Sequence, residues 1–151
     1  MKHWHEYTAA EIAVLDGPQL DAAVAEAMGW KPPKMTEKQY RFRWPSPFRD
    51  AGFHRTKHCW WKPPRCKGYE EDPPAAHSDL NAAAKFGEFV CGQVPEASFK
   101  VSYVWDRNPR WMCRMMAPGP AAYGWAAIEA TARCRAGLLA LLAAREDPRH
   151  G

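Results

Sequence analysis

Eight prolines crowd between Pro32 and Pro74, and they decide what the middle of this chain cannot be. Proline lacks a backbone N–H and its ring clashes with the preceding turn, so each one stops a helix, and between them no helical period survives. The pairs Pro32–Pro33 and Pro73–Pro74 bracket the stretch, with Pro45, Pro47, Pro63 and Pro64 inside it. Between them only Tyr40–Trp44 and His58–Lys62 read as short strands. Residues 31–74 are therefore expected to form a hairpin or a long ordered loop, inserted between regular flanks.

Those flanks carry clear periods. Thr8 and Glu11 spell a capping box, which predicts a short helix ending near Asp16–Gly17. Pro18 suits the first turn of a second helix, with Leu20, Val24, Ala27 and Met28 on one face and Gly29 as its C-terminal cap. Ser78 is the expected N-cap of a helix reaching Val94, with Leu80, Ala83, Ala84 and Phe86 on its buried side. Gly87 inside it counts slightly against helix.

Phe99–Trp105 then alternates, with Phe99, Val101, Tyr103 and Trp105 on one face. Asp106–Pro109 is a turn. Arg110–Met116 alternates again, Trp111, Cys113 and Met115 opposite Arg110, Met112 and Arg114, so the two strands should pair as an antiparallel hairpin. Beyond Pro118–Pro120 a long helix is expected from about Ala122 to Arg145. Its apolar stripe would be Trp125, Ile128, Ala132, Ala136, Leu139 and Leu142, with Arg133 and Arg135 turned to solvent or a ligand. The class is α+β. Residues 8–145 are expected to form one domain, with flexible ends at 1–7 and 146–151.

A chain of 151 residues suits a single domain and buries roughly two thirds of its unfolded surface without staples. Five cysteines, an odd number, argue against a closed disulfide framework. Met1–Tyr7 has no apolar core of a secretory signal, and Gly137–Ala144 is far too short to span a bilayer. A reduced, cytoplasmic protein without a membrane partner is expected. Cys91, Cys113 and Cys134 should be small packing residues.

Charge is concentrated in Arg41–Lys67. Eight cations (Arg41, Arg43, Arg49, Arg55, Lys57, Lys62, Arg65 and Lys67) against Asp50 alone put this stretch at +7, above the +4 of the whole chain. Phe42, Trp44, Phe48, Phe53, Trp60 and Trp61 interleave with them. Guanidinium groups pair with phosphate and flat rings stack on bases, so this mixture points to a nucleotide or single-stranded nucleic acid. Alternation would bury Phe42 and Trp44 while Arg41 and Arg43 face water. Trp60 and Trp61 are adjacent, so one of them should leave the core. Arg107, Arg110 and Arg114 form a second basic set, which would extend the site if its sheet face is turned outward.

Catalytic and metal patterns are weaker. His54, His58, Cys59 and Cys66 are zinc-competent types, but they lack the C-x-x-C spacing of a zinc knuckle. His3, His5 and Glu6 form a short terminal string. His77, Ser78 and Asp79 are adjacent and cannot build a triad, and there is no phosphate-cradling glycine loop. The expectation is a non-enzyme without a cofactor.

Three segments, taken together, resemble the phage ABA-sandwich domain family: QLDAAVAEAMGW at Gln19–Trp30, PPAAHSDLNAAA at Pro73–Ala84, and EATARCRAGLLA at Glu129–Ala140. The resemblance runs from about Thr8 to Ala143. It implies a central antiparallel sheet sandwiched by helices, in a small bacteriophage protein. It carries over no catalytic residue, and the basic, aromatic Arg41–Lys67 stretch departs from the family pattern. The expected function is capture of a phosphorylated nucleotide, in its concrete form an anti-defence sponge for a cyclic nucleotide immune signal in the host cytoplasm. Arg41, Arg43, Arg55 and Arg65 would hold phosphate, Trp44, Trp60 or Trp61 would stack on a base, and Lys57 and Lys62 would add field. A homo-oligomer would bury such a ligand better. The alternative is a nucleic-acid-binding or protein-interaction accessory protein of a phage, stabilised by zinc.

Overall fold

The computed structural model describes residues 2–32, 61, 63–64, 73–116 and 121–146. The chain divides into two compact units, Met1–Met28 with Pro74–Gly151, and Gly29–Pro73. Most of the second unit lies outside the described residues. Within it, Lys31 and Trp61 each make an isolated β-bridge, and Trp61 is buried.

The first unit is α+β, a helix–sheet sandwich. Its elements are a 3₁₀ turn at Trp4–Glu6, α1 at Ala9–Val14, α2 at Gly17–Ala27, α3 at Leu80–Gln93, β1 at Ser98–Tyr103, β2 at Trp111–Met116, β3 at Ala122–Ala126 and α4 at Glu129–Glu146. The strands form an antiparallel sheet in the order β1-β2-β3. Thr8 and Glu11 close the capping box, Oγ1 of Thr8 accepting from the Glu11 N–H at 3.2 Å and the Glu11 carboxylate accepting from the Thr8 N–H at 2.8 Å. Gly29 follows α2 at φ +96°, a left-handed cap that side chains resist.

The core lies between the inner sheet face and the helices. Cys113 and Met115 are fully buried there, with Phe86 and Val90 of α3 and Ala132, Ala136 and Leu138 of α4 in the same cluster. α4 packs on β2 and β3, and α1, α2 and α3 pack on α4. Gly124 sets the closest approach: a Cβ there would meet the Ala132 carbonyl and would lie 2.5 Å from the Ala136 nitrogen. α4 is therefore buried on nearly all sides, which its apolar composition allows.

Several expectations are corrected. Residues 122–126 are a strand, not the start of the last helix, because Tyr123 and Trp125 alternate with the small buried Gly124 and Ala126. Asp79 rather than Ser78 caps α3, its carboxylate accepting from the Asn81 and Ala82 N–H groups. Within α3, Leu80 and Ala84 are exposed rather than buried, and Gly87 and Val90 are buried. Trp105 leaves the sheet after Tyr103 and stands 78% exposed, edge-on to Tyr103 with ring centroids 5.0 Å apart. Arg135 does not face solvent. It donates to the carbonyls of Leu15 at 3.0 Å and Trp125 at 2.6 Å, tying α1 and β3 to α4. Desolvation lowers its pKa. Within residues 2–7, Trp4 is buried in the core cluster and Tyr7 packs against it, while Lys2, His3, His5 and Glu6 are exposed.

Candidate functional site

The outward face of the sheet gathers the chemistry. In a strand, neighbouring side chains point to opposite faces. Burying Cys113, Met115 and Gly124 therefore turns Met112, Arg114, Tyr123 and Trp125 outward, and register adds Lys100 and Ser102 from β1. Lys100, Arg114 and Tyr123 form one cross-strand row, and Ser102, Met112 and Trp125 form the next. Arg107, from the hairpin loop, lies over Trp125 with its guanidinium 5.5 Å from a ring centroid. The Arg114 guanidinium lies 5.7 Å from the Tyr123 centroid.

This face is electrostatically unbalanced. Lys100 and Arg114 sit directly opposite each other, an arrangement that destabilises a strand pair. None of the outward positions on the three strands carries an acid. Arg114 Nε is buried and has no hydrogen-bond partner among the described residues. An unpaired buried donor costs about 1–3 kcal/mol, and an anionic acceptor would remove that cost. Tyr123 is 45% exposed and offers a flat ring beside these cations. The set is suited to holding a phosphate next to a stacked base.

Of the second basic set, Arg107 and Arg114 are brought together here and Arg110 is not. Arg110 donates to the Tyr103 hydroxyl at 3.1 Å instead. Of the insertion site, Arg41, Arg43, Trp44, Arg55, Lys57, Trp60, Lys62 and Arg65 lie outside the described residues, as do His54, His58, Cys59 and Cys66. Trp61 is described and only 8% exposed, so it offers no open ring. The sequence pattern does not mark Lys100, Tyr123 and Trp125 as site residues. The signal that could have found them is the large–small alternation of Tyr123-Gly124-Trp125-Ala126.

A second polar cluster has a structural explanation. Asp21 of α2 accepts from the His77 backbone N–H at 2.8 Å and contacts its ring Nδ1 at 2.8 Å. Thr131 donates its hydroxyl to the His77 carbonyl at 2.7 Å. The turn before α3 is thus clasped by α2 and α4. Ser78 turns its hydroxyl to the Ala75 carbonyl, and no nucleophile stands against the histidine among the described residues. No group of three or more metal-ligating side chains occurs among the described residues either. At the N-terminus, His3 pairs with Glu26 at 2.6 Å and its ring stacks on that of His5. No described helix is long and apolar enough to cross a membrane.

No family model, curated protein or solved structure matches this chain.

Proposed function

We propose that this protein is a non-enzymatic binder of a phosphorylated nucleotide, held on the outward sheet face. The observation that carries this reading is the buried, unpartnered Nε of Arg114, directly across from Lys100 and beside the exposed Tyr123 ring. In this picture Arg114 and Lys100 grip phosphate while Tyr123 or Trp125 stacks on the base. Each stacked base contributes about 1–3 kcal/mol. Capture requires no chemistry, and a second copy of the chain would close the site over a small ligand. The +7 stretch Arg41–Lys67 adds a basic, aromatic segment of the same composition. In the setting that the resemblance to phage ABA-sandwich proteins implies, the binder acts as a sponge for a cyclic nucleotide immune signal in the host cytoplasm.

A single-stranded nucleic acid is the second reading, favoured by the neighbouring rings of Tyr123 and Trp125 on the outward face, on which successive bases can stack. A thermal-shift screen with cyclic and linear nucleotides tests the first. A ligand at one hundred times its Kd adds about 2.7 kcal/mol, an easily measured rise in Tm. Salt separates the two, since oligonucleotide binding weakens steeply with salt in proportion to the phosphates contacted. A dinucleotide with few phosphates should lose far less. If no nucleotide moves the melting point, the proposal fails.

A further inference from the structure

The helical layer holds a cleft of a different chemical character. Trp4 of the 3₁₀ turn, Phe89 of α3 and Leu141 of α4 line a space of about 340 Å³. That is the size of a small-molecule pocket, and its walls are mostly apolar. Gln93 and Arg145 supply its polar groups, and no acidic side chain lines it among the described residues. The Arg145 guanidinium lies 5.8 Å from the Trp4 ring centroid, so the indole steadies the cation beside the apolar wall.

We propose that this cleft binds a small amphiphile with an apolar body and a single carboxylate. The body displaces water chiefly from the half-buried Ala27, Phe89 and Ala144, with Trp4 and Leu141 as the floor, which is favourable in proportion to the area covered. The Arg145 fork presents parallel N–H donors that match a carboxylate. The amide of Gln93 adds a neutral donor. One cation on an apolar cleft suits a monoanion and gives little purchase to a polyphosphate. The site is independent of the sheet face and of the nucleotide reading.

Isothermal titration of the full chain with decanoate and with decanol tests it. Decanoate should bind, and decanol should bind about tenfold more weakly, because a charge-assisted hydrogen bond is lost. Arg145→Gln, at an exposed position, should weaken decanoate about tenfold and leave decanol unchanged. Ala144→Phe, filling the cleft, should remove both, with an unchanged melting transition showing that the fold is intact. Arg114→Met should leave both unchanged. Failure of decanoate to bind, equal binding of acid and alcohol to the wild type, or full binding by a folded Ala144→Phe would each overturn the proposal.

Discussion

The two faces of one sheet follow opposite rules. The inner face presents Cys113, Met115, Gly124 and Ala126, small or apolar and buried against α3 and α4. The outer face presents Lys100, Arg114, Tyr123 and Trp125, with like charges paired and a buried donor unsatisfied. The inner face is complete without any partner. The outer one pairs like charges and has no acid on its strands, an arrangement that an anionic partner would relieve.

The comparison breaks most decisively at Gly124. Gly124→Val places a side chain against the α4 backbone, which cannot yield as a flexible side chain does. Overpacking of this kind costs about 3 kcal/mol or more, seen as a large fall in the urea midpoint. Met115→Ala should cost about 2–5 kcal/mol through the cavity it leaves. A mild effect at both positions would mean that the inner face is not the core.

Arg114→Met inverts the expectation on the other face. Removing the like-charge pair and the unpaired Nε should leave stability unchanged or raise it by about 1 kcal/mol. It should also abolish any nucleotide-dependent rise in Tm. A substantial loss of stability would make Arg114 a structural residue and remove the contrast.

Thiol chemistry sharpens the inner side. Burial pushes the Cys113 thiol up to about 11 and the Cys134 thiol to about 12. At pH 8 Cys113 is overwhelmingly the thiol, which is the unreactive form. Burial also raises the half-exposed Cys91, but by less. Alkylation mapped by mass spectrometry should therefore modify Cys91 well before Cys113 or Cys134. Rapid labelling of Cys113 would show an open inner face.

The smallest effect lies off both faces. The outer strands carry no acid, so acid sensitivity must arise elsewhere, and Glu11 is one source. The hydrogen bond from Lys2, then that from the Thr8 N–H, holds its carboxyl below the ordinary value of 4.5. A depressed folded value means that its stabilisation is complete above 4.5 and is lost as the pH falls through the lower folded value. Glu11→Gln should slightly flatten the acid limb of a stability–pH curve and leave neutral pH nearly unchanged.

Local chemistry was legible in the sequence where it acts alone. The Thr8–Glu11 box, the Gly29 cap and the β1–β2 alternation each follow from nearby residues. The α+β class and the antiparallel sheet came from the same signals. What the sequence hid depends on distant partners. Ala122–Ala127 reads as helix because alanine favours helix, until α4 packs on Gly124 and makes a strand the better solution. Gly87 counted against its helix, yet it is the seat of the Phe99 ring, which a Cβ would meet at 2.5 Å. Arg135 looked solvent-facing because nothing nearby announces the two carbonyls that it serves. The outer-face site was legible only at Arg107 and Arg114, since Tyr123 and Trp125 join them only once β3 is a strand.

The central claim is that the outer sheet face holds the ligand. Its most direct test is a titration of labelled protein with any nucleotide that raises Tm, followed at backbone and indole resonances. Shifts concentrated at Lys100, Arg114, Tyr123 and Trp125, and lost in Arg114→Met, are the predicted result. Saturable binding that leaves those four resonances unmoved would contradict it.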